Sequence, residues 1–174
     1  MAHLTLVLGG ARSGKSARAL AIAEEVVAGT GGSRLFVATA EALDDEIAER
    51  IALHRAERGV AWAVAEAPLE PGAALAGLGD GDVAVVDCLT LWLSNLMHHE
   101  RDAEAATVGL LQAAAAARGR AIFVSNEIGM GLAPMNALGR AFRDAQGRLN
   151  QRVAAAAHRV EFVAAGLPLV LKDG

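Results

Sequence analysis

Residues 9–16 read Gly-Gly-Ala-Arg-Ser-Gly-Lys-Ser, directly after the apolar run Leu4-Thr5-Leu6-Val7-Leu8 and directly before an alanine-rich helical segment. No other stretch constrains the fold as much. The G-x-x-x-x-G-K-[ST] pattern reads as a phosphate cradle, because its glycines let the backbone turn without Cβ clashes and successive N–H groups then point inward at an anion. Such a loop sits between a buried strand and the N-terminus of a helix, whose positive end adds to the field. Within it Lys15 is expected to reach the β- and γ-phosphates and Ser16 to hold Mg²⁺. The chain is therefore expected to be an α/β protein of the phosphate-loop (P-loop) NTPase type.

The periodicity of the rest agrees. Ala17 to Ala28 carries good helix formers with Leu20, Ala23 and Val27 on one stripe, and Gly29–Ser33 ends it. Leu35–Ala38 is a second buried strand, which makes a βαβ opening. A helix is expected from Leu43 to about Glu57, acidic in its first turn, with Leu43, Ile47 and Ile51 inward. Arg50, His54, Glu57 and Arg58 fall on its adjacent face, and Gly59 stops it. Val60–Val64 reads as a short edge strand, and Pro68–Gly81 as turns around a short helix.

Asp82–Asp87 is a strand that stays apolar until an acid appears at its carboxyl end. In phosphate-loop proteins an Asp there holds Mg²⁺ directly or through water. Helices follow from Leu89 to about His98 and from Asp102 to about Ala117. The strand Arg120–Ser125 delivers the loop Asn126–Pro134. A long helix from about Asn136 to His158 is expected to turn Leu138, Phe142, Leu149 and Val153 inward. Its other face carries Arg140, Arg143, Asp144, Arg148, Asn150, Gln151 and Arg152. Gly147 inside that helix costs ~1 kcal/mol against alanine and hints at close approach by something. Val160–Ala164 and Leu167–Leu171 are read as final strands, with a hairpin around Gly166–Pro168.

The layout is one domain over residues 1–174, a mostly parallel sheet with helices on both faces. Ligands in such folds bind beyond the carboxyl ends of the strands, where the phosphate loop, Thr39, Asp87 and Asn126-Glu127 converge. No stretch reaches the ~18 apolar residues of a membrane span. Met1-Ala2-His3 runs straight into the first strand without a visible signal peptide, so a cytoplasmic location is expected. Cys88 is the only cysteine, which excludes a disulfide framework. A net charge of −4 argues against a nucleic-acid-binding surface. Composition and spacing lead to a purine nucleoside triphosphate with Mg²⁺ and no further. A switch GTPase, a small-molecule kinase and a nucleotidyl transferase stay open, the first lowered by the lack of an N-K-x-D signature.

The order of the motifs says more. The loop Gly9–Ser16, Ala38-Thr39-Ala40 with Asp44-Asp45-Glu46, Arg50-Ile51-x-x-His54-Arg55, and Trp62 with Glu66 come first. Val85-Val86-Asp87-Cys88-Leu89-Thr90 with Asn95-Leu96, Ser125–Pro134, and Phe142-Arg143-Asp144-x-x-Gly147-x-x-Asn150-Gln151 follow. Together they resemble the bifunctional adenosylcobinamide kinase/adenosylcobinamide-phosphate guanylyltransferase family of cobalamin synthesis. Small departures are Met135, where the family often carries an acid, and Leu53.

The resemblance implies two reactions. Adenosylcobinamide is phosphorylated by ATP or GTP, and GTP then donates GMP to adenosylcobinamide phosphate through a GMP-histidine intermediate. His54 matches the guanylylated histidine. By the same match Gly9, Gly10, Ala11, Arg12, Ser13, Gly14, Lys15 and Ser16 bind the triphosphate. Ala38, Thr39, Ala40, Arg55, Ala56, Glu57, Arg58, Glu66 and Asp87 line the nucleotide. Asn126, Glu127, Arg143, Asp144 and Asn150 are placed on the corrinoid side or at a subunit contact, and a homo-oligomer, specifically a homotrimer, is implied. The competing readings are a monofunctional small-alcohol kinase with a structural His54, and a nucleotide-gated switch protein.

Overall fold

The computed structural model describes residues 3–41 and 61–174. The helix expected over 43–57 lies outside them. Among the described residues the order is β1 (Leu4–Gly9), α1 (Lys15–Thr30), β2 (Arg34–Ala38), β3 (Ala63–Glu66), α2 (Pro71–Leu75), β4 (Val83–Asp87) and α3 (Leu89–His98). Then come α4 (Ala103–Ala116), β5 (Arg120–Asn126), α5 (Ala137–Ala156), β6 (Arg159–Ala164) and β7 (Leu167–Asp173).

The strands form one seven-stranded sheet in the order β3-β2-β4-β5-β1-β6-β7, parallel throughout except for the terminal β6–β7 hairpin. Alternation of side chains splits the core in two. Val7, Val85, Ile122, Val124 and Val163 face α1. Leu6, Leu8, Ala84, Val86 and Phe123 face α2 to α5, where Trp92 and Leu149 close the layer. Because both faces are covered, the central strands can be apolar from end to end, which is why they read as unbroken runs.

The edge strand falls at 63–66 instead of 60–64, and the final hairpin turns at Ala165-Gly166, with Leu167 and Pro168 already paired in β7 instead of lying in the turn. Two expectations for the long helix need correction. Leu138 is 72% exposed, since it sits in the first turn, which Asn136 caps by accepting from the Gly139 N–H, and the inward stripe starts only at Phe142. Asn150, expected on the solvated face, is buried together with Gln146. Among the described residues nothing lies within 4 Å of where a Gly147 side chain would begin.

Candidate nucleotide-binding site

The cradle at the end of β1 is shaped by backbone needs that only its residues meet. A Cβ on Gly9 would stand 2.3 Å from Ser13 Oγ and 2.6 Å from the Val163 carbonyl. Gly14 caps α1 in the left-handed region at φ 93°, and its Cα faces the hairpin turn so closely that a Cβ would meet Gly166 Cα at 3.2 Å. The loop closes on itself through Ser13 N–H donating to the Gly10 carbonyl (3.3 Å), and Gly166 N–H donates to the Ser13 carbonyl (2.8 Å). Lys15 Nζ donates to the Gly10 carbonyl at 3.0 Å, so the ammonium folds over the cradle it is expected to serve. Ala11 and Arg12 are exposed, and Lys15 and Ser16 are half-buried at the start of α1.

Strand register brings the other predicted residues alongside. Ala38 pairs with Glu66 on one side and Asp87 on the other, so the three form one row across β3, β2 and β4. Adjacent strands are ~4.8 Å apart, and register partners point to the same face, here the face of α1 and the cradle. Asp87 is half-buried and Glu66 exposed. One row beyond, Gly9 pairs with Asn126 and Val163.

Thr39 arrives at the same rim but is wholly buried. Its hydroxyl donates to the Cys88 carbonyl (2.7 Å) and accepts from the Cys88 N–H (2.8 Å), across from a cis Asp87–Cys88 peptide. Asn95 Nδ2 donates to the Thr39 and Pro68 carbonyls. Thr39 thus ties β2 to the turn that follows Asp87, and Ala40 continues half-buried beyond it. Burial, with a smaller contribution from the Asp87 charge, pushes the Cys88 thiol up to about 11.

Two networks escaped sequence reasoning. Ser125 Oγ donates to Asn150 Oδ1 (2.7 Å), Gln146 Nε2 donates to both, and Asn150 Nδ2 donates to the Asn126 carbonyl (3.0 Å). On β6, Glu161 is fully buried and accepts from Arg18 Nε (2.8 Å), Arg18 Nη2 (3.0 Å) and Arg159 Nε (2.8 Å). The hydrogen bond from Arg18 holds the Glu161 carboxyl below its ordinary value, against desolvation, with Arg159 adding to the effect. Arg18 lies one turn after Lys15, so this cluster fixes the start of α1 against the sheet. Arg159 is two residues away on the same strand, but Arg18, which supplies two of the three bonds, is 143 residues away and leaves no local signal.

His54, Arg55, Ala56, Glu57 and Arg58 lie outside the described residues. A groove of about 540 Å³ between α2 and α4 is lined by Gly72, Trp92, Arg101 and Ala113 among others, and among the described residues none of the predicted site residues borders it.

The model of one family, described as cobinamide kinase / cobinamide phosphate guanyltransferase, matches residues 5–171. The chain belongs to this family. The bifunctional adenosylcobalamin biosynthesis protein CobP of Pseudomonas aeruginosa is 42% identical over 170 residues, covering 96% of each chain. The proteins of the same description named CobU in Salmonella typhimurium and Escherichia coli are 35% and 34% identical, each over 97% of this chain and 99% of theirs. The family match reaches into every described strand, from the cradle to the hairpin that braces it. No helix among the described residues is long and apolar enough to cross a membrane.

Proposed function

We propose that the chain phosphorylates adenosylcobinamide with ATP or GTP and then transfers GMP from GTP to adenosylcobinamide phosphate, a reading supported by the kinase and guanyltransferase description of its family and by the bifunctional adenosylcobalamin biosynthesis proteins among its relatives. The observation that carries the reading is the convergence of the phosphate cradle with the Glu66–Ala38–Asp87 row on one face of the sheet. In this reading Gly9 to Ser16 hold the triphosphate and Ala38, Thr39, Ala40, Glu66 and Asp87 line the nucleotide, with Arg55 to Arg58 joining from the helix expected before Gly59.

For the first reaction the cradle N–H groups and Lys15 neutralise the β- and γ-phosphates. The hydroxyl oxygen of the aminopropanol arm bonds to the γ-phosphorus, the bond to the bridging oxygen breaks, and the proton leaves to solvent. Positioning and charge stabilisation carry most of such a transfer. The Ser16 hydroxyl and the Asp87 carboxylate would hold Mg²⁺, and hard oxygen donors facing a phosphate site suit that ion. When bound it supplies positive charge to the phosphate oxygens.

For the second reaction an unperturbed imidazole, with a pKa near ~6.5, is largely neutral and nucleophilic at neutral pH. His54 bonds to the α-phosphorus of GTP and expels pyrophosphate. An oxygen of adenosylcobinamide phosphate then displaces the imidazole and takes the GMP, so one hard step becomes two. The reading extends to a cytoplasmic homo-oligomer, specifically a trimer. The fully exposed edge strand β7, with Leu167, Leu169 and Leu171, supports a subunit contact.

Incubation with GTP labelled at the α-phosphate tests the covalent step. Acid-labile, alkali-stable label is expected on the wild type and not on His54→Ala. Turnover of both substrates without any label on the wild type would refute the histidine route, and phosphorylation without GMP transfer would leave a monofunctional kinase.

A further inference from the structure

We infer that Asn126 touches the phosphoryl group being transferred in the kinase reaction, donating from its side-chain amide to a γ-phosphoryl oxygen. The inference rests on the proposed kinase function. It starts from topology, since β5 lies between β1, which carries the cradle, and β4, which carries Asp87. Asn126 is the last residue of β5 and the register partner of Gly9, one strand spacing of about 5 Å away. Ser125 turns to the opposite face to meet Gln146 and Asn150, so Asn126 leaves the sheet on the face shared by Gly9 and Asp87.

The backbone of Asn126 is held from both sides. Its N–H donates to Thr90 Oγ1 (2.9 Å), and its carbonyl accepts from Asn150 Nδ2 (3.0 Å). Asn150 is itself oriented by Ser125 and Gln146, so three side chains from β5 and α5 and one from α3 converge on one residue. Yet its own amide makes no hydrogen bond among the described residues, and Oδ1 is buried without a partner. A buried acceptor left unmade costs about 1–3 kcal/mol, so Oδ1 awaits a donor such as the reacting hydroxyl, and Nδ2 of the same fixed amide is left to donate to a phosphoryl oxygen.

The ligand that fits is the γ-phosphoryl group. In the proposed site the cradle N–H groups and Lys15 approach the phosphates from the β1 side, Asp87 would hold the metal ion on the β4 side, and Asn126 ends the strand between them. The Asn126 amide N–H supplies a donor there. As the acceptor hydroxyl bonds to the γ-phosphorus and the bridging bond breaks, charge spreads over the equatorial oxygens, and a fixed donor stabilises it without reorganising. An amide takes no proton, so the hydroxyl proton still leaves to solvent. In GMP transfer the reacting centre is the α-phosphorus, and Asn126 stands at the leaving group.

Asn126→Ala and Asn126→Asp, assayed as full-length protein for both half-reactions and thermal midpoint, test the inference. Removing one such donor is expected to lower the kinase kcat about 10²–10³-fold. The thermal midpoint stays near wild type, and GMP transfer to supplied adenosylcobinamide phosphate, where Asn126 meets only the leaving pyrophosphate, falls at least about tenfold less than the kinase step. Asn126→Asp should lose as much, since it brings an anion to an anion, and should recover relative to wild type as pH is lowered and the carboxyl gains a proton to donate. Kinase kcat within about threefold of wild type, or kinase and transferase falling in equal ratio, would overturn it. A wild-type chain with neither activity would instead overturn the proposed function, and this inference with it.

Discussion

Replacing Glu161 with glutamine probes whether the start of α1 is held by charge. The carboxylate is fully buried and receives two hydrogen bonds from Arg18 (2.8 and 3.0 Å) and one from Arg159 (2.8 Å). Glutamine keeps the shape and, with its oxygen at the Oε1 position, two of the three bonds, but turns an N–H group toward Arg18 Nε, so one charge-assisted bond worth roughly 1.5–3 kcal/mol is lost and the other two are weakened by loss of the carboxylate charge. The arginine side chains are 24% and 28% exposed and keep Glu25 and Asp173 as second partners, which returns part of that loss. The expected cost is about 3 kcal/mol, the lower edge for breaking a buried ion pair.

Urea unfolding at neutral pH should show it as a lower midpoint with an unchanged slope. The pH dependence has a definite sign. The bond from Arg18 depresses the folded-state value of Glu161 below its ordinary 4.5, so its contribution is complete above that value and is lost as pH falls through the depressed one. The gap between wild type and Glu161→Gln should hold steady from neutrality to about pH 4.5 and narrow below it. A gap under about 1 kcal/mol, or one that persists undiminished in strong acid, would refute the reasoning.

Lys15→Ala should abolish nucleotide binding and both activities, and full kinase turnover in that variant would mean the cradle is misassigned. Gly9→Ala places a methyl 2.6 Å from the Val163 carbonyl, which belongs to a strand and cannot yield cheaply, so a stability loss of about 1–3 kcal/mol and weaker nucleotide binding are expected by denaturation and calorimetry. Unaltered affinity there would show that the cradle tolerates a different shape. With its thiol buried and pushed up to about 11, Cys88 should resist alkylation by iodoacetamide in the native protein and react fully in urea. Native labelling at the rate of an exposed thiol would contradict that burial.

What could be read from the sequence was whatever is encoded locally. Strand, glycine loop and helix are adjacent in the chain, so Gly9 to Ser16 could be read without a fold. Asp87 announced itself as an acid ending an apolar run. Asn150 and Gln146 could not be separated from the arginines around them on α5, because their burial depends on a register with Ser125 that is set 21 and 25 residues away. Leu138 looked inward because helical spacing says which face a residue shares, not how far the core reaches along that face. Thr39 was read as part of the nucleotide wall, and its side chain proves to be the clasp that joins β2 to the turn after Asp87. Glu161 passed unnoticed inside a strand since nothing nearby hinted at Arg18.

The amide of Gly166 that braces Ser13 has a consequence for synthesis. A nascent chain displays Leu4–Gly9 early, but the neighbours of that strand are residues 121–126 and 159–163. At ~5–20 residues per second, the interval is on the order of ten seconds or more. During that time an apolar ribbon and an unfinished anion cradle face the ribosome exit and any chaperone stationed there. Nucleotide therefore cannot template folding from the outset: it can only seal a structure whose last hairpin has already emerged.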